Sequence, residues 1–328
     1  MTLRPVRLDP QFVPRMWGAR NLAPLFPEKH SLAEPIGEVW LTGNDCRFVD
    51  GQFAGQRLGD AWPRMGREWA SEAIARDKPF PVLVKFLFPE DKLSVQVHPD
   101  DEYAASREGK AGGVGKTEMW YVVAAQRGAE VRVGLRPRVS ADTFRRAIAE
   151  GGVEDALKRI PVQTGDAIFV PAGTVHTIGP GMILCEVQQN SDITYRVFDF
   201  DRIGPDGRQR ELHIEKAFDV IRFGKQLGGK VLPDQAGGES SEVSTLVDCP
   251  YFAVVKHSFA ESRYLTKPDG RLELVIVLEG KGTLRTPPAD GCVEYSRAQA
   301  WLIPGALRVC IYEPLEATTM LRVFVPKF

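Results

Sequence analysis

Cysteine is scarce and unpaired in this sequence of 328 residues. Cys46, Cys185, Cys249, Cys292 and Cys310 stand singly, with no CxxC pair among them. That argues against a disulfide framework and against a thiolate zinc cluster, so a metal here would be held by imidazole, carboxylate or amide oxygen. Long apolar runs are missing as well. Leu272–Leu278, among the most apolar stretches, falls well short of the ~20 residues that span a bilayer. The N-terminus, MTLRPVRLDPQFVPRMWG, carries prolines and charges where a signal peptide needs an apolar block, so no membrane is expected as a partner and the cytoplasm is the expected compartment. An excess of one charge is absent too. Lys plus Arg is 42 against 43 for Asp plus Glu, a net charge of −1, so nucleic acid is not the expected partner either. Hydrophobic residues make up 43%, enough for a sizeable core. At roughly 100–200 residues per domain, the length predicts two domains. A monomer or weak homodimer is the expected state.

The 31 glycines and 24 prolines fall between short apolar runs, the pattern of an all-β sandwich or barrel. Expected strands include 37–42, 82–88, 93–98, 118–124, 130–135, 167–170, 182–188 and 193–198. Val82–Phe88 is apolar on both faces apart from Lys85, so it should be a central strand. Two segments break the β rhythm. Glu68–Arg76 reads as helical. So does Ser140–Ile160, where Ser140 can cap the first turn and Phe144, Ile148, Val153, Ala156, Leu157 and Ile160 recur at roughly helical spacing. Gly151–Gly152 divides that segment into two short helices. Gly224–Ser244, rich in Gly, Ser and charge, reads as a linker, dividing the chain into 1–235 and 236–328. Beyond it, short strands are expected again at 263–265, 272–278, 282–286, 300–303, 309–312 and 319–325. The two parts share a faint repeat. Glu118–Ala124 followed by GDAIFVPAG resembles Leu272–Gly280 followed by AQAWLIPGA, which suggests two β-barrels of one kind. No histidine follows His257, so a metal site belongs to the first barrel.

Polar residues interrupt this apolar background at four places. In LSVQVHP, Leu93, Val95 and Val97 alternate with Ser94, Gln96 and His98. Side chains on a strand alternate faces, so the three polar groups share one face, either lining a ligand site or lying on a wet edge strand. In GKTEMWYVV, Glu118 opens a strongly apolar strand with Lys116 two residues before it. A carboxylate entering a core is costly unless it is paired or metal-bound, although a strand-end glutamate can also face solvent. In FVPAGTVH, a tight Pro-Ala-Gly turn returns the chain and His176 comes three residues after the glycine, as a ligand or as a satisfied structural histidine. Together these elements supply two imidazoles, a carboxylate and an amide oxygen. The set suits Zn²⁺, with the amide also compatible with Mn²⁺ or Co²⁺. Finally, in LCEVQQNSDITYRVFDFDR, Glu186 and Gln188 share a face, and Arg196 lies in an apolar strand. An arginine inside a barrel needs an anion or a structural carboxylate.

At these residues the sequence resembles the type I phosphomannose isomerases, in their short bacterial form. The resemblance begins at Trp17-Gly and Ile36-Gly-Glu-Val-Trp and continues through PVLVKFL, LSVQVHPDDEYA and GKTEMWY. It then covers VPAGTVH and EVQQNSDITYR, ending near Arg210-Glu-Leu-His-Ile. The blocks keep the family's order over roughly residues 15–220. One departure is Phe88-Pro-Glu-Asp-Lys, where the family more often has Asp-Ala before its Leu-Ser-Val-Gln, and this bears on loop shape. The resemblance implies a mainly β fold of two cupin (jelly-roll) barrels, the first catalytic with short helical insertions and the second degenerate. It implies a zinc enzyme, one ion per chain, that interconverts mannose 6-phosphate and fructose 6-phosphate. The zinc ligands it implies are Gln96, His98, Glu118 and His176. Arg196 matches the family's catalytic arginine, while Lys116 and Ser94 match pocket residues. Glu186 is a further candidate for the pocket.

That reaction moves a hydrogen between C1 and C2 of a hexose 6-phosphate. Its main task is to lower the energy of the enediolate, which a cation beside the developing oxyanion does. Zinc and Arg196 are expected to supply the charge, with Lys116 or Glu186 relaying protons. A hydride shift is the alternative. Arg202, Arg210 and Lys92 are loop cations available to the phosphate, though loop cations are often simply solvated. Arg202 is placed with Ser94 and Trp17 as substrate-binding, and Trp17 can stack on the sugar or simply pack. Two other readings use the same site: a sugar-phosphate sensor without turnover, and a cupin isomerase acting on glucose 6-phosphate.

Overall fold

The computed structural model describes residues 3–70, 74, 78–109, 113–204, 207–232, 242–267, 270–287 and 292–325. Most of the regular structure is antiparallel sheet. One seven-stranded sheet runs in the order Gly229–Lys230, Ala167–Val170, Glu118–Ala125, Met182–Gln189, Val82–Leu87, Ile36–Trp40, Gln11–Ala19. Against it lies a five-stranded sheet in the order Tyr195–Phe198, Val95–Val97, His176–Ile178, Glu130–Leu135, Leu157–Pro161. These two sheets form the first jelly roll. A second seven-stranded sheet and a four-stranded sheet form the other.

The alternation of side chains explains the layering. On Glu118–Ala125, Trp120 and Val122 point into the first jelly roll, while Met119 and Tyr121 point away into a core shared with the second. Phe86 and Val187 join that shared core from the first jelly roll, and Leu274, Ile276, Leu302 and Leu321 join it from the second. The two large sheets are therefore packed back to back. Burying one such side chain fully contributes ~1.5–3 kcal/mol. Val82–Leu87 is buried along its whole length and paired on both sides, as expected for a central strand.

The second large sheet draws residues from both ends of the chain. Val6–Asp9 pairs with Ala300–Ile303, and Arg47–Phe48 pairs with Val6–Asp9 on its other side.

Three segments differ from expectation. Ser140 does cap a helix, accepting from the Thr143 amide, but the helix is Ala141–Ala149, and after it comes a single 3-10 turn at Val153–Ala156. Leu157 and Ile160 then lie in a strand paired with Glu130–Leu135. Their spacing matches a helical period, but their backbone groups are committed to the sheet. In the helix expected at Glu68–Arg76, residues 68 and 69 lie in a turn and 70 and 74 in bends, while 71–73 and 75–76 lie outside the described residues. Within the expected linker, Gly229–Lys230 pairs with Ile168–Phe169, and Val243–Asp248 pairs with Ala253–Phe259. Residues 233–241 of that linker lie outside the described residues.

The internal repeat is visible in the hydrogen-bond register. Glu118 pairs with Val170 in the first jelly roll and Glu273 pairs with Ile303 in the second. Likewise Trp120 pairs with Glu186, and Val275 with Arg322. The position of Glu186 is thus taken by an arginine in the second jelly roll. Arg322 donates from Nε and Nη2 to the two oxygens of the fully buried Glu273, at 2.5 and 3.2 Å. Removing one partner of a buried ion pair leaves an uncompensated charge. Arg322→Met is expected to cost about 3–5 kcal/mol in urea denaturation, and Glu273→Leu with Arg322→Met is expected to recover most of it. Equal loss in the single and double variants would show that the pair carries no such penalty.

Candidate active site

The inner face of the first jelly roll carries a row of polar groups built by strand register. On the smaller sheet, Arg196, Gln96 and His176 are directly opposite one another across three adjacent strands. On the larger sheet, Glu186 is directly opposite Lys85, and Lys85 is opposite Trp40. Val95 and Val97 face the other way, into a cluster with Tyr195 and Val197. The period-2 expectation for Ser94, Gln96 and His98 holds. The rows border a cleft of about 890 Å³, whose wall includes Trp17, Ser94, Gln96, Lys116, Glu118, Glu186 and Arg196.

His98, Glu118 and His176 converge, with one donor atom from each lying within 4.8 Å of the others. Glu118 Oε1 is 3.2 Å from His176 Nε2, and Oε2 is 3.5 Å from His98 Nε2. Both rings turn their Nε2 atoms inward because Nδ1 is engaged by the backbone. His98 Nδ1 bonds the Ile193 carbonyl and His176 Nδ1 the Thr174 carbonyl, each at 2.9 Å. A ring that donates from Nδ1 presents Nε2 as a lone pair, the form a metal requires. Burial, with Lys116 adding to it, pushes His98 down to about 3, and burial also lowers His176. Both are therefore neutral at pH 7.

Burial opposes ionisation of Glu118, but the Lys116 ammonium holds its carboxyl well below the usual range. Lys116 Nζ is 3.0 Å from Glu118 Oε2 and 3.1 Å from His98 Nε2. That oxygen is buried and accepts no aligned hydrogen bond. A buried carboxylate with an imidazole lone pair turned toward each of its oxygens is a donor set that fits a divalent ion. Gln96 stands beside the trio. As placed, its amide nitrogen faces His176 Nε2 at 3.3 Å and its oxygen accepts from Ser94 Oγ at 3.2 Å. Rotating the amide by half a turn would bring the oxygen to the cluster.

Glu186 lies further along the wall. Its Oε1 accepts from Trp120 Nε1 at 3.2 Å, and its Oε2 is 3.1 Å from Lys85 Nζ. Burial pushes its carboxyl up to about 7; Lys85 opposes the rise and Glu118 adds to it. Lys85 also approaches Glu38 at 3.7 Å, and Glu38 accepts from Arg15 and from Trp40 Nε1. Lys85, Glu38, Trp40, Arg15, Asp192 and Thr194 all border the cleft, yet the sequence alone singles out none of them as a site residue. The one available signal is Lys85, the only charge in an otherwise apolar run.

Arg196 lines the cleft mouth. Its Nη1 donates to the Glu211 carbonyl at 2.9 Å, and its buried Nε has no acceptor. Trp17 is buried with Leu87 and Trp120 and forms wall. Arg202, expected to bind substrate, is turned away from the cleft because Asp199 and Asp91 hold its guanidinium. Lys92 is likewise taken by Glu154.

A pair of jelly rolls, with a buried His-Glu-His cluster able to hold a metal ion beside a charged cleft, defines the chain as a cupin. A family model of the phosphomannose isomerase type I catalytic domain matches residues 6–120. The mannose-6-phosphate isomerase of Streptococcus mutans is 37% identical over 284 residues, covering 85% of this chain and 86% of the relative. Mannose-6-phosphate isomerase ManA of Bacillus subtilis is 33% identical over 296 residues, covering 87% and 88%. The crystal structure of the Bacillus subtilis mannose 6-phosphate isomerase superposes with a TM-score of 0.86 at 29% identity, over 97% of this chain and 99% of that one. The chain belongs to the type I phosphomannose isomerase family.

The Glu38 network bears on acid stability. Burial opposes ionisation of Glu38, but Lys85 and Arg15 bring its carboxyl down from 4.5 to about 2. A group whose pKa falls on folding stabilises the fold above its unfolded value, and that stability is lost as pH drops through the folded value. The contribution is therefore present above about pH 4.5 and fades toward pH 2. Glu38→Gln is expected to lower the urea midpoint at pH 7 while leaving that at pH 2 nearly unchanged. An equal drop at both pH values would count against this account.

Proposed function

We propose that this chain is a metal-dependent aldose-ketose isomerase that interconverts mannose 6-phosphate and fructose 6-phosphate. The observation that carries this reading is the convergence of His98, Glu118 and His176 beside a cleft that Glu118, Gln96 and Lys116 line. Family membership supplies the substrate class. We assign zinc as the ion, since two neutral imidazoles and a carboxylate match an open, catalytic zinc donor set. Gln96 is the fourth donor once its amide has turned. The chemistry belongs to the first jelly roll, whose two sheets lie within residues 11–230, and the second, built from residues 243–324 together with Val6–Asp9 and Arg47–Phe48, is its scaffold, so the boundary expected between 235 and 236 does not by itself separate the two.

A divalent ion in this position supplies Lewis-acid polarisation of the sugar's C1 and C2 oxygens. The chain's own groups do the rest. Glu186, with its carboxyl near 7, can both take and return a proton at neutral pH. Lys116 is close enough to Glu118 to deliver positive charge to the reacting oxygens and can pass a proton. Arg196 stays charged and faces the cleft, supporting the anionic substrate. Ser94 orients the Gln96 amide from one side, and Trp17 closes the wall and keeps water out.

Mannose 6-phosphate turnover is expected to vanish on chelation and return with Zn²⁺. His176→Ala is expected to lose both activity and bound metal, the latter read by elemental analysis. Turnover indifferent to chelator and to His176→Ala would overturn the metal reading. Turnover of glucose 6-phosphate but not mannose 6-phosphate would reassign the substrate. In D₂O the relay predicts deuterium at C1 of the fructose 6-phosphate formed. Complete retention of the C2 hydrogen at C1 would replace the relay with a hydride shift.

A further inference from the structure

Three guanidiniums lie near one another around Asp199, and they are not equivalent: Arg196 and Arg210 line the cleft, while Arg202 does not. Asp199 directly follows the strand Tyr195–Phe198 and is buried. The chain then reverses through Phe200 and Asp201, both at positive φ, 57° and 52°. It returns through the Ile203–Gln209 bridge to bring Arg210 back beside Asp199. Left-handed backbone at two consecutive non-glycine residues is costly and persists only where surrounding contacts hold it. Here those contacts are the two arginines bound to one carboxylate.

Arg202 is fully committed. Its Nη2 donates to Asp199 Oδ1 at 2.5 Å, its Nε to the Asp199 carbonyl at 3.2 Å, and its Nη1 to Asp91 Oδ2 at 3.2 Å and to the Lys92 carbonyl. Arg210 is not. It donates from Nε to Asp199 Oδ2 at 2.7 Å and from Nη2 to Oδ1, and it lines the cleft. A guanidinium carries five N–H donors in a rigid fork, and this pairing engages one edge of it. Arg196 lines the same cleft, with its buried Nε lacking an acceptor and, among the described residues, no carboxylate in ion-pair range. Burial, and after it the nearby Arg210 charge, lower Arg196, so the two cations are close enough to repel. Asp199 and Asp91 offset the charges of Arg202 and Arg210, while Arg196 is held only by the Glu211 carbonyl, so its positive charge is left facing the cleft.

We propose that Arg210 and Arg196 form the seat for the substrate's phosphate, and that Asp199 is the positioning residue that aims Arg210 into it. Arg202 belongs to the scaffold of that seat. The inference rests on the sugar-phosphate reading above and adds which cations take the phosphate. A phosphate monoester dianion fits because its several acceptor oxygens can take N–H groups from two guanidiniums at once. Asp199 acts by locking the Arg210 fork edge-on, so that little rotamer freedom is lost when the anion arrives.

Inorganic phosphate binding by calorimetry, on the metal-loaded protein, tests this apart from turnover. Arg210→Met and Asp199→Asn are each expected to weaken phosphate binding about tenfold or more. Each is expected to raise KM for mannose 6-phosphate in parallel, with kcat changed much less. Arg210→Lys, which keeps the charge without the fork, should recover part of the loss. The combination of Asp199→Asn with Arg210→Met should bind phosphate no worse than Arg210→Met alone, because Asp199 acts through Arg210. Wild-type phosphate affinity in Arg210→Met would overturn the seat, and a much larger loss in the double variant would overturn the role of Asp199. If Asp199→Asn does not fold, the comparison of Arg210→Met with Arg210→Lys still decides the seat. A wild type that binds phosphate in this Arg210-dependent way without turning over mannose 6-phosphate would sink the isomerase reading and leave the seat standing.

Discussion

A buried carboxylate governs this molecule. Glu118 is 1% exposed, at the start of an otherwise apolar strand, where an isolated charge would be prohibitively expensive. Everything near it answers that cost. Two imidazoles present lone pairs toward it, which only a cation can reconcile with a carboxylate. Lys116 supplies one positive charge, and a bound divalent ion would supply more. The backbone carbonyls of Ile193 and Thr174 fix the ring tautomers, so the cluster is arranged before any ion arrives. Because Glu118, His98 and His176 come from three separate strands or strand ends of two facing sheets, the position is only as good as the packing of those sheets. The shared core behind the larger sheet holds that wall rigid.

The second jelly roll shows what happens when the same problem is solved differently. Glu273 has the register of Glu118. Where the first jelly roll places Glu186, the second places Arg322. One reversal of charge sign closes the site: the guanidinium takes both carboxylate oxygens and leaves nothing for an ion to bind. In the first jelly roll the equivalent position carries a second carboxylate instead. Lys85 compensates it only partly, and its acidity is shifted toward neutrality. That difference separates a structural ion pair from a site able to exchange protons.

Much of this was legible in the chain itself, for identifiable reasons. The alternation of Ser94, Gln96 and His98 with valines fixes a face whatever the neighbours are. A glutamate opening an apolar strand, and a histidine just after a Pro-Ala-Gly turn, are local facts. The expected strands at 130–135, 167–170 and 300–303 were found with those bounds. What was missed depends on pairing between distant segments. Lys85 reads only as an oddity until register sets it between Glu186 and Trp40. Leu157 and Ile160 fit a helical period by coincidence, and their hydrogen bonds to Glu130–Leu135 decide otherwise.

The arginines make the same point about function. Arg202 and Arg210 are both loop cations near the end of the family's last motif, and nothing in their local sequence ranks one above the other. Their difference is created by partners: Asp91 and the Lys92 carbonyl saturate the first, while the second keeps an edge toward the cleft. Charge alone therefore does not make a binding residue. A guanidinium already satisfied by carboxylates contributes to the scaffold, while one held on a single edge is oriented and still has donors to give. The same logic separates Lys92, taken by Glu154, from Lys116, which faces the cluster. Across this cleft, the chemistry belongs to groups that the fold has fixed in place but not fully satisfied.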